Sequence, residues 1–281
     1  MSDSGWRPLS RRTVGQAAEG PFDGVPAHLY QPLQEWLYHV LQRKDGPVMF
    51  VRPGYFTTDT RRVMLRIQSS EQPWLLRADD PLFLDAIDAS LRWRPWVEGW
   101  DDENPATLEE ILESGNSIWR VSGEFLGLER RIDTTVTAAV SETVSSASDE
   151  AADHLRRAWE SAYGRNPDPD TCYRESVLAV ESAACPLVLP TASRPTVGLV
   201  RDHLRDAGGK WELVLPDQDD KPAQVDVVVS MLSALEQGHR SRHAGSARNA
   251  RRQSQAEAEA AVHLASTLVH WLSTGVVRRK A

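Results

Sequence analysis

Gln255-Ala256-Glu257-Ala258-Glu259-Ala260-Ala261-Val262-His263-Leu264-Ala265-Ser266-Thr267-Leu268-Val269-His270-Trp271-Leu272-Ser273 is an amphipathic helix spelled out in sequence. Ala258, Ala261, Val262, Ala265, Leu268, Val269 and Leu272 recur at the three- and four-residue steps that line one face of a 3.6-residue helix. Upstream, Val225–Leu235 continues helically to Gly238, after a polar loop at Asp217–Lys221. Thr196–Ala207 is a short helix ended by Gly208-Gly209, and Asp168-Pro169-Asp170 starts a helix that runs to Cys185 and stops at Pro186. Ile132, Val136, Val140, Val144, Ala147, Ala151, Leu155 and Ala158 keep the same period, predicting one long helix from about 127 to 164 closed by Gly164. Its outer face is rich in Ser and Thr, poor helix formers, so packing must supply its stability. The C-terminal half reads as a helical bundle.

The N-terminal half is less regular. Pro26 opens a helix with Leu29, Leu33, Trp36, Leu37, Val40 and Leu41 on one face, stopped by Asp45-Gly46-Pro47. Val48–Tyr55 reads as a short strand interrupted by Pro53-Gly54, and Thr58-Asp59 as a cap for a helix through Val63, Met64 and Ile67. Leu82, Phe83, Ala86, Ile87 and Leu91 mark another helix. Thr107-Leu108-Glu109-Glu110 starts a further one, and Ser117–Ser122 is a strand. The expected fold is mainly α: a polar tail over 1–25 that is poorly ordered, a smaller helical module with short strands over 26–126, the long helix and bundle over 127–276, and a basic tail at 277–281. No internal repeat is present.

The chain has 281 residues, 41% of them hydrophobic and 26% charged, which is a globular composition with ample length for a core. Acids outnumber bases 40 to 32, and the net charge of −8 excludes a general nucleic-acid coat while leaving room for a local basic site. Only Lys44, Lys210, Lys221 and Lys280 are lysines; every other base is arginine. Cys172 and Cys185 lie on one expected helix, roughly 20 Å apart along its axis, so no disulfide framework forms and a reducing cytosol fits. Arg11-Arg12 resembles a twin-arginine signal, but the polar run Gln16-Ala17-Ala18-Glu19-Gly20-Pro21 follows where an apolar one is required. No run of about 18 apolar residues exists, so no membrane partner is expected. Gly-rich phosphate loops, a Gly-x-Ser-x-Gly elbow and paired Cys-x-x-Cys knuckles are absent, which disfavours a nucleotide-driven motor or a serine hydrolase.

Between Glu236 and Glu257 no acid occurs, while Arg240, Arg242, Arg248, Arg251 and Arg252 do, together with His239 and His243. Phosphodiester cleavage without a metal needs a group titrating near neutrality and cations to hold the developing phosphorane charge. Histidine and arginine supply those two properties. The alternative is a solvated loop paired to acids elsewhere on the surface. His239 and His243 are also four apart, but Gly238 and Gly245 flank them and no carboxylate completes a site, so neither metal nor other cofactor is expected.

Arg240-Ser241-Arg242-His243-Ala244-Gly245, followed by Ala256–Ala265 and Val269-His270-Trp271-Leu272, resembles the C-terminal helical domain of bacterial abortive-infection proteins, within the HEPN superfamily. His154-Leu155-Arg156-Arg157-Ala158-Trp159, Tyr163-Gly164-Arg165, Asp168-Pro169-Asp170 and Tyr173-Arg174-Glu175-Ser176-Val177 through Val180-Glu181 are similar to the first helices of that domain. The likeness spans about 150–276. It implies a dimeric, RNA-acting protein, in many members a metal-independent endoribonuclease. On that footing Arg240 and Arg242 hold phosphate, His243 transfers the proton, and Arg248, Arg251 and Arg252 bind RNA. Members of the superfamily place an arginine four to six positions before the histidine and a glycine directly after it. Here Gly238 stands at one of those arginine positions and Ala244 follows His243.

Glu181 falls between apolar sectors of its helix, so its carboxylate must find a partner. Either Arg174 or another internal arginine pairs with it, or it orients His243 across the bundle. Seven tryptophans lie in the first 119 residues, and Arg92-Trp93-Arg94-Pro95-Trp96 mixes cations and rings as single-strand binders do; a small aromatic core is the other explanation. The expected function is an abortive-infection or toxin-type protein acting on RNA, a homodimer through its bundle, with an antitoxin or defence partner. The alternative is a non-catalytic RNA-binding or dimerisation protein.

Overall fold

Apolar steps of three and four residues become helices through most of the residues described in this computed structural model, which are 20–43, 46–47, 82–93, 103–123, 127–239 and 251–280. The chain is mainly α, with nine α-helices and a few strands of two or three residues among the described residues. It divides into two compact units, Met1–Leu128 and Glu129–Ala281.

In the first unit, α1 (Ala27–Leu41) packs on α2 (Leu82–Trp93) and α3 (Glu103–Ser114). Leu33, Leu37, Phe83, Ile87, Leu108 and Leu112 are completely buried between them. Pro32 lies inside α1, although proline removes a backbone donor there. The strands β1 (Gln42–Arg43) and β2 (Gly46–Pro47) pair antiparallel after α1. Buried Asp88 accepts from the Leu128 N–H at 2.7 Å and from Arg92 Nε at 2.9 Å, so its charge is matched. Of the stretch expected to be a polar tail, residues 20–25 are tied down: Phe22 exchanges backbone hydrogen bonds with Asn116 and Ile118 at 2.9 Å. Trp36 and Trp119 are core residues, and Trp119 Nε1 donates to the Asp23 carbonyl at 2.8 Å. The expected strand over Val48–Tyr55, the helix from Thr58, Trp96 and the remaining N-terminal tryptophans Trp6, Trp74 and Trp100 lie outside the described residues. β3 (Trp119–Val121) and β4 (Leu128–Arg130) follow, and along β4 the chain passes into the second unit.

The single helix expected over 127–164 is two helices, α4 (Thr134–Ser146) and α5 (Asp149–Tyr163), preceded by β4. The break at Ala147 and Ser148 has a chemical cause. Ala147 is extended and returns its N–H to Thr143, and Ser148 caps α5 by accepting from the Ala151 N–H. Thr143 and Ser145 hydroxyls meanwhile bond back to the carbonyls four residues earlier, which weakens the end of α4. The apolar period survives a two-residue break, and periodicity alone does not reveal it.

α6 (Pro169–Val188) continues past the expected stop at Pro186, which lies in its last turn. Then come α7 (Val197–Asp206), a short 3-10 turn, β5 (Trp211–Leu213), α8 (Asp226–Gly238), α9 (Gln255–Ser273) and β6 (Val277–Arg279). α6 is the central helix, packed against α5, α7 and α9. All seven residues of the α9 stripe are buried. The thiol of Cys172 on α6 donates to the Ala258 carbonyl of α9 at 3.3 Å, a measure of how closely alanines let these helices approach. The expected basic tail is instead paired: β6 lies antiparallel to β5, with Trp211 opposite Arg279 and Leu213 opposite Val277. No helix among the described residues is long and apolar enough to cross a membrane.

Candidate nucleic-acid interface

Arg240, Arg242, His243 and Arg248 lie outside the described residues, but both stems that carry them are placed. The N-terminal stem is the end of α8. His239 is buried there and stacks on Tyr173 of α6, with ring centres 5.3 Å apart and planes 17° from parallel. The Tyr173 hydroxyl donates to the Leu235 carbonyl at 2.9 Å. The C-terminal stem enters at Gln253, whose N–H donates to Asp170 Oδ1 and whose side-chain amide donates to the Gly238 carbonyl, both at 2.9 Å. Gln253 is buried, and its Oε1 has no partner among the described residues. The two ends of the segment are thus joined to each other and to the first turns of α6.

Arg251 does not face solvent as a free cation. It forms a fork on Glu257, with Nη1 to Oε2 at 2.8 Å and Nη2 to Oε1. Glu257 in turn completes a capping box with Ser254, which starts α9. The Arg251 ion pair, with the Ser254 N–H, holds the Glu257 carboxyl down at about 2. Arg252 is exposed.

Among the described residues Glu181 pairs with neither Arg174 nor another arginine. Its Oε1 accepts the Val197 N–H at 2.8 Å and so caps α7. Arg174 turns instead to Glu175 and Thr171, at 3.3 and 3.4 Å from Nη2. An N-terminal helix donor competes well for a nearby carboxylate, and nothing in the α6 pattern announces it. His243 lies outside the described residues, and of the two Glu181 oxygens Oε1 is committed to Val197.

Glu175 is a site that the apolar pattern of α6 does not mark. α5 and α6 form a helical hairpin across Gly164–Asp168, in which Asp168 caps α6 by accepting from Thr171. Glu175 is buried, and its Oε2 accepts from Arg157 Nε at 2.9 Å and meets His154 Nδ1 at 2.8 Å. Burial pushes this carboxyl up, but the His154 and Arg157 hydrogen bonds outweigh burial and leave it below the ordinary carboxylate range. A depressed carboxyl contributes stability that is present above its unfolded pKa, near 4.3, and lost as pH falls through the lower folded value. Glu175→Gln is therefore expected to cost about 1–2 kcal/mol at pH 7, with the gap to wild type closing in acid below roughly pH 4. Urea unfolding across a pH series measures this.

Burial pushes the Cys172 thiol up to about 12 and the Cys185 thiol up to about 11, so neither is a ready nucleophile at neutral pH. Both are free. Among the described residues no group of three or more His, Cys, Asp or Glu is placed to hold a metal ion. Compared with known proteins, the chain matches no family model, no curated protein and no solved structure.

Proposed function

We propose that this chain is an abortive-infection or toxin-type protein that acts on RNA through the segment between Gly238 and Arg251, and that it works as a dimer through its C-terminal bundle. The observation that carries the proposal is the clamping of both stems of this arginine-rich segment onto α6, by His239 on Tyr173 and by Gln253 on Asp170 and Gly238. A basic segment with fixed ends loses less conformational freedom on binding a polyanion than a free loop does. In the proposed reaction Arg240 and Arg242 hold the phosphate. The ribose 2′-oxygen bonds to phosphorus while its proton passes to His243. The bond from phosphorus to the 5′-oxygen breaks, and that oxygen takes a proton, leaving a 2′,3′-cyclic phosphate and a 5′-hydroxyl.

The departure from the superfamily spacing, with Gly238 at an arginine position and Ala244 after His243, favours a second reading, in which the domain retains RNA without cutting it. Induced expression separates the two. The endoribonuclease reading predicts growth arrest with fragmented RNA, both abolished by His243→Ala. Intact RNA in arrested wild-type cells removes the catalytic step and leaves the binding one.

A further inference from the structure

We infer that Arg157, His154 and Glu175 form a subsite for one phosphodiester of an RNA backbone, an inference that rests on the RNA reading above. Glu175 is a single buried carboxylate facing Arg157, His154 and Arg174, and its side chain is only 9% exposed. An ionised carboxylate only accepts, so the His154 proton stands on Nδ1 and points at Oε2. Arg157 Nη2 lies 2.9 Å from that same nitrogen.

Arg157 is built to present itself. Its Nε is spent on Glu175 and Nη2 lies against His154 Nδ1, while Nη1 meets no acceptor among the described residues, and the side chain is 53% exposed. Glu175 thus fixes the guanidinium by one edge and turns the other outward. Three of the acids on α5 and the start of α6 are otherwise engaged. Asp153 is bonded to Arg156 on α5, Asp168 caps α6 at Thr171 and feels Arg174, and Asp170 holds Gln253. A planar fork of two N–H groups matches the two non-bridging oxygens of a phosphodiester. The subsite belongs to the same α5–α6 hairpin whose first α6 turns anchor the arginine-rich segment. Asp170, which holds that anchor, and Arg174 are four residues apart and so share a face of α6.

The test uses the purified full chain in two arms. In the first, inorganic phosphate is titrated against the Arg157 Nε–H and His154 ring resonances by NMR, with chloride as the control. In the second, a labelled single-stranded RNA oligonucleotide is bound across a salt series by wild type, Arg157→Gln and Arg157→Lys, each checked for an unchanged thermal transition. The subsite predicts phosphate-specific shifts, with RNA affinity about tenfold weaker and the salt slope reduced by about one in Arg157→Gln, and partial recovery in Arg157→Lys. RNA bound equally by all three proteins, with unmoved resonances, overturns the subsite and leaves the RNA reading standing. Phosphate shifts without any RNA binding overturn the RNA reading and, with it, the assignment of the anion to an RNA backbone.

Discussion

Gly238→Ala is expected to destabilise the C-terminal unit by about 3 kcal/mol, a large effect for one methyl group at a helix end. A Cβ at this position meets the Tyr173 hydroxyl at 2.0 Å and its ring carbon Cζ at 3.0 Å. Tyr173 has nowhere to retreat. It is buried, stacked on His239 and bonded through its hydroxyl to the Leu235 carbonyl. The methyl group therefore both overpacks the site and strands a buried carbonyl. Tyr173→Phe removes the nearer atom, so the double variant is expected to be more stable than the sum of the single losses by at least about 1 kcal/mol. Urea unfolding of the four proteins closes the cycle. Simple additivity contradicts the contact. RNA binding should fall in Gly238→Ala even where the protein remains folded, because the same contact positions one stem of the basic segment.

Trp211→Ala is expected to cost about 4 kcal/mol and to lower the transition of this unit by roughly 10 °C. The indole is 1% exposed, and it is the partner of Arg279 across β5 and β6. The Arg279 guanidinium sits 5.2 Å from its ring centre, and the Lys280 N–H donates to the Lys210 carbonyl at 2.9 Å. Truncation opens a cavity and loosens the C-terminal strand that covers it. Arg279→Ala removes only the cation above the ring and is expected to cost about 0.5–1 kcal/mol. Comparable losses in the two variants, measured by thermal unfolding, contradict a packing role for the ring.

The helices most legible in the sequence are those whose stripe is uninterrupted. Residues 255–273 form a helix with those very bounds, and all seven striped residues are buried. Thr196 and Gly238 likewise mark the start of α7 and the end of α8. The period failed where hydroxyl chemistry intervened, since Ser148 caps a new helix without disturbing the spacing of Val144, Ala147 and Ala151. The Glu181 contact to the Val197 N–H was not legible because that donor lies sixteen residues on, and a helical wheel shows no backbone donors from another helix. The Glu175 cluster does carry a signal in the sequence. Arg157 and Glu175 are equidistant from the turn of the α5–α6 hairpin, at Tyr163 and Pro169, so folding the two helices back on each other brings them together. The basic segment itself was legible only as composition, whereas its anchoring by Tyr173 and Asp170 needs the tertiary fold.

RNA binding by the purified full chain is the most direct test of the proposed function. A labelled single-stranded RNA is titrated across a salt series with wild type and with a variant carrying Arg240→Gln, Arg242→Gln and Arg248→Gln. Saturable binding, with log affinity falling linearly against log salt and a shallower slope in the variant by about 2, is the predicted result. Absence of binding at low salt, or equal slopes in the two proteins, contradicts it.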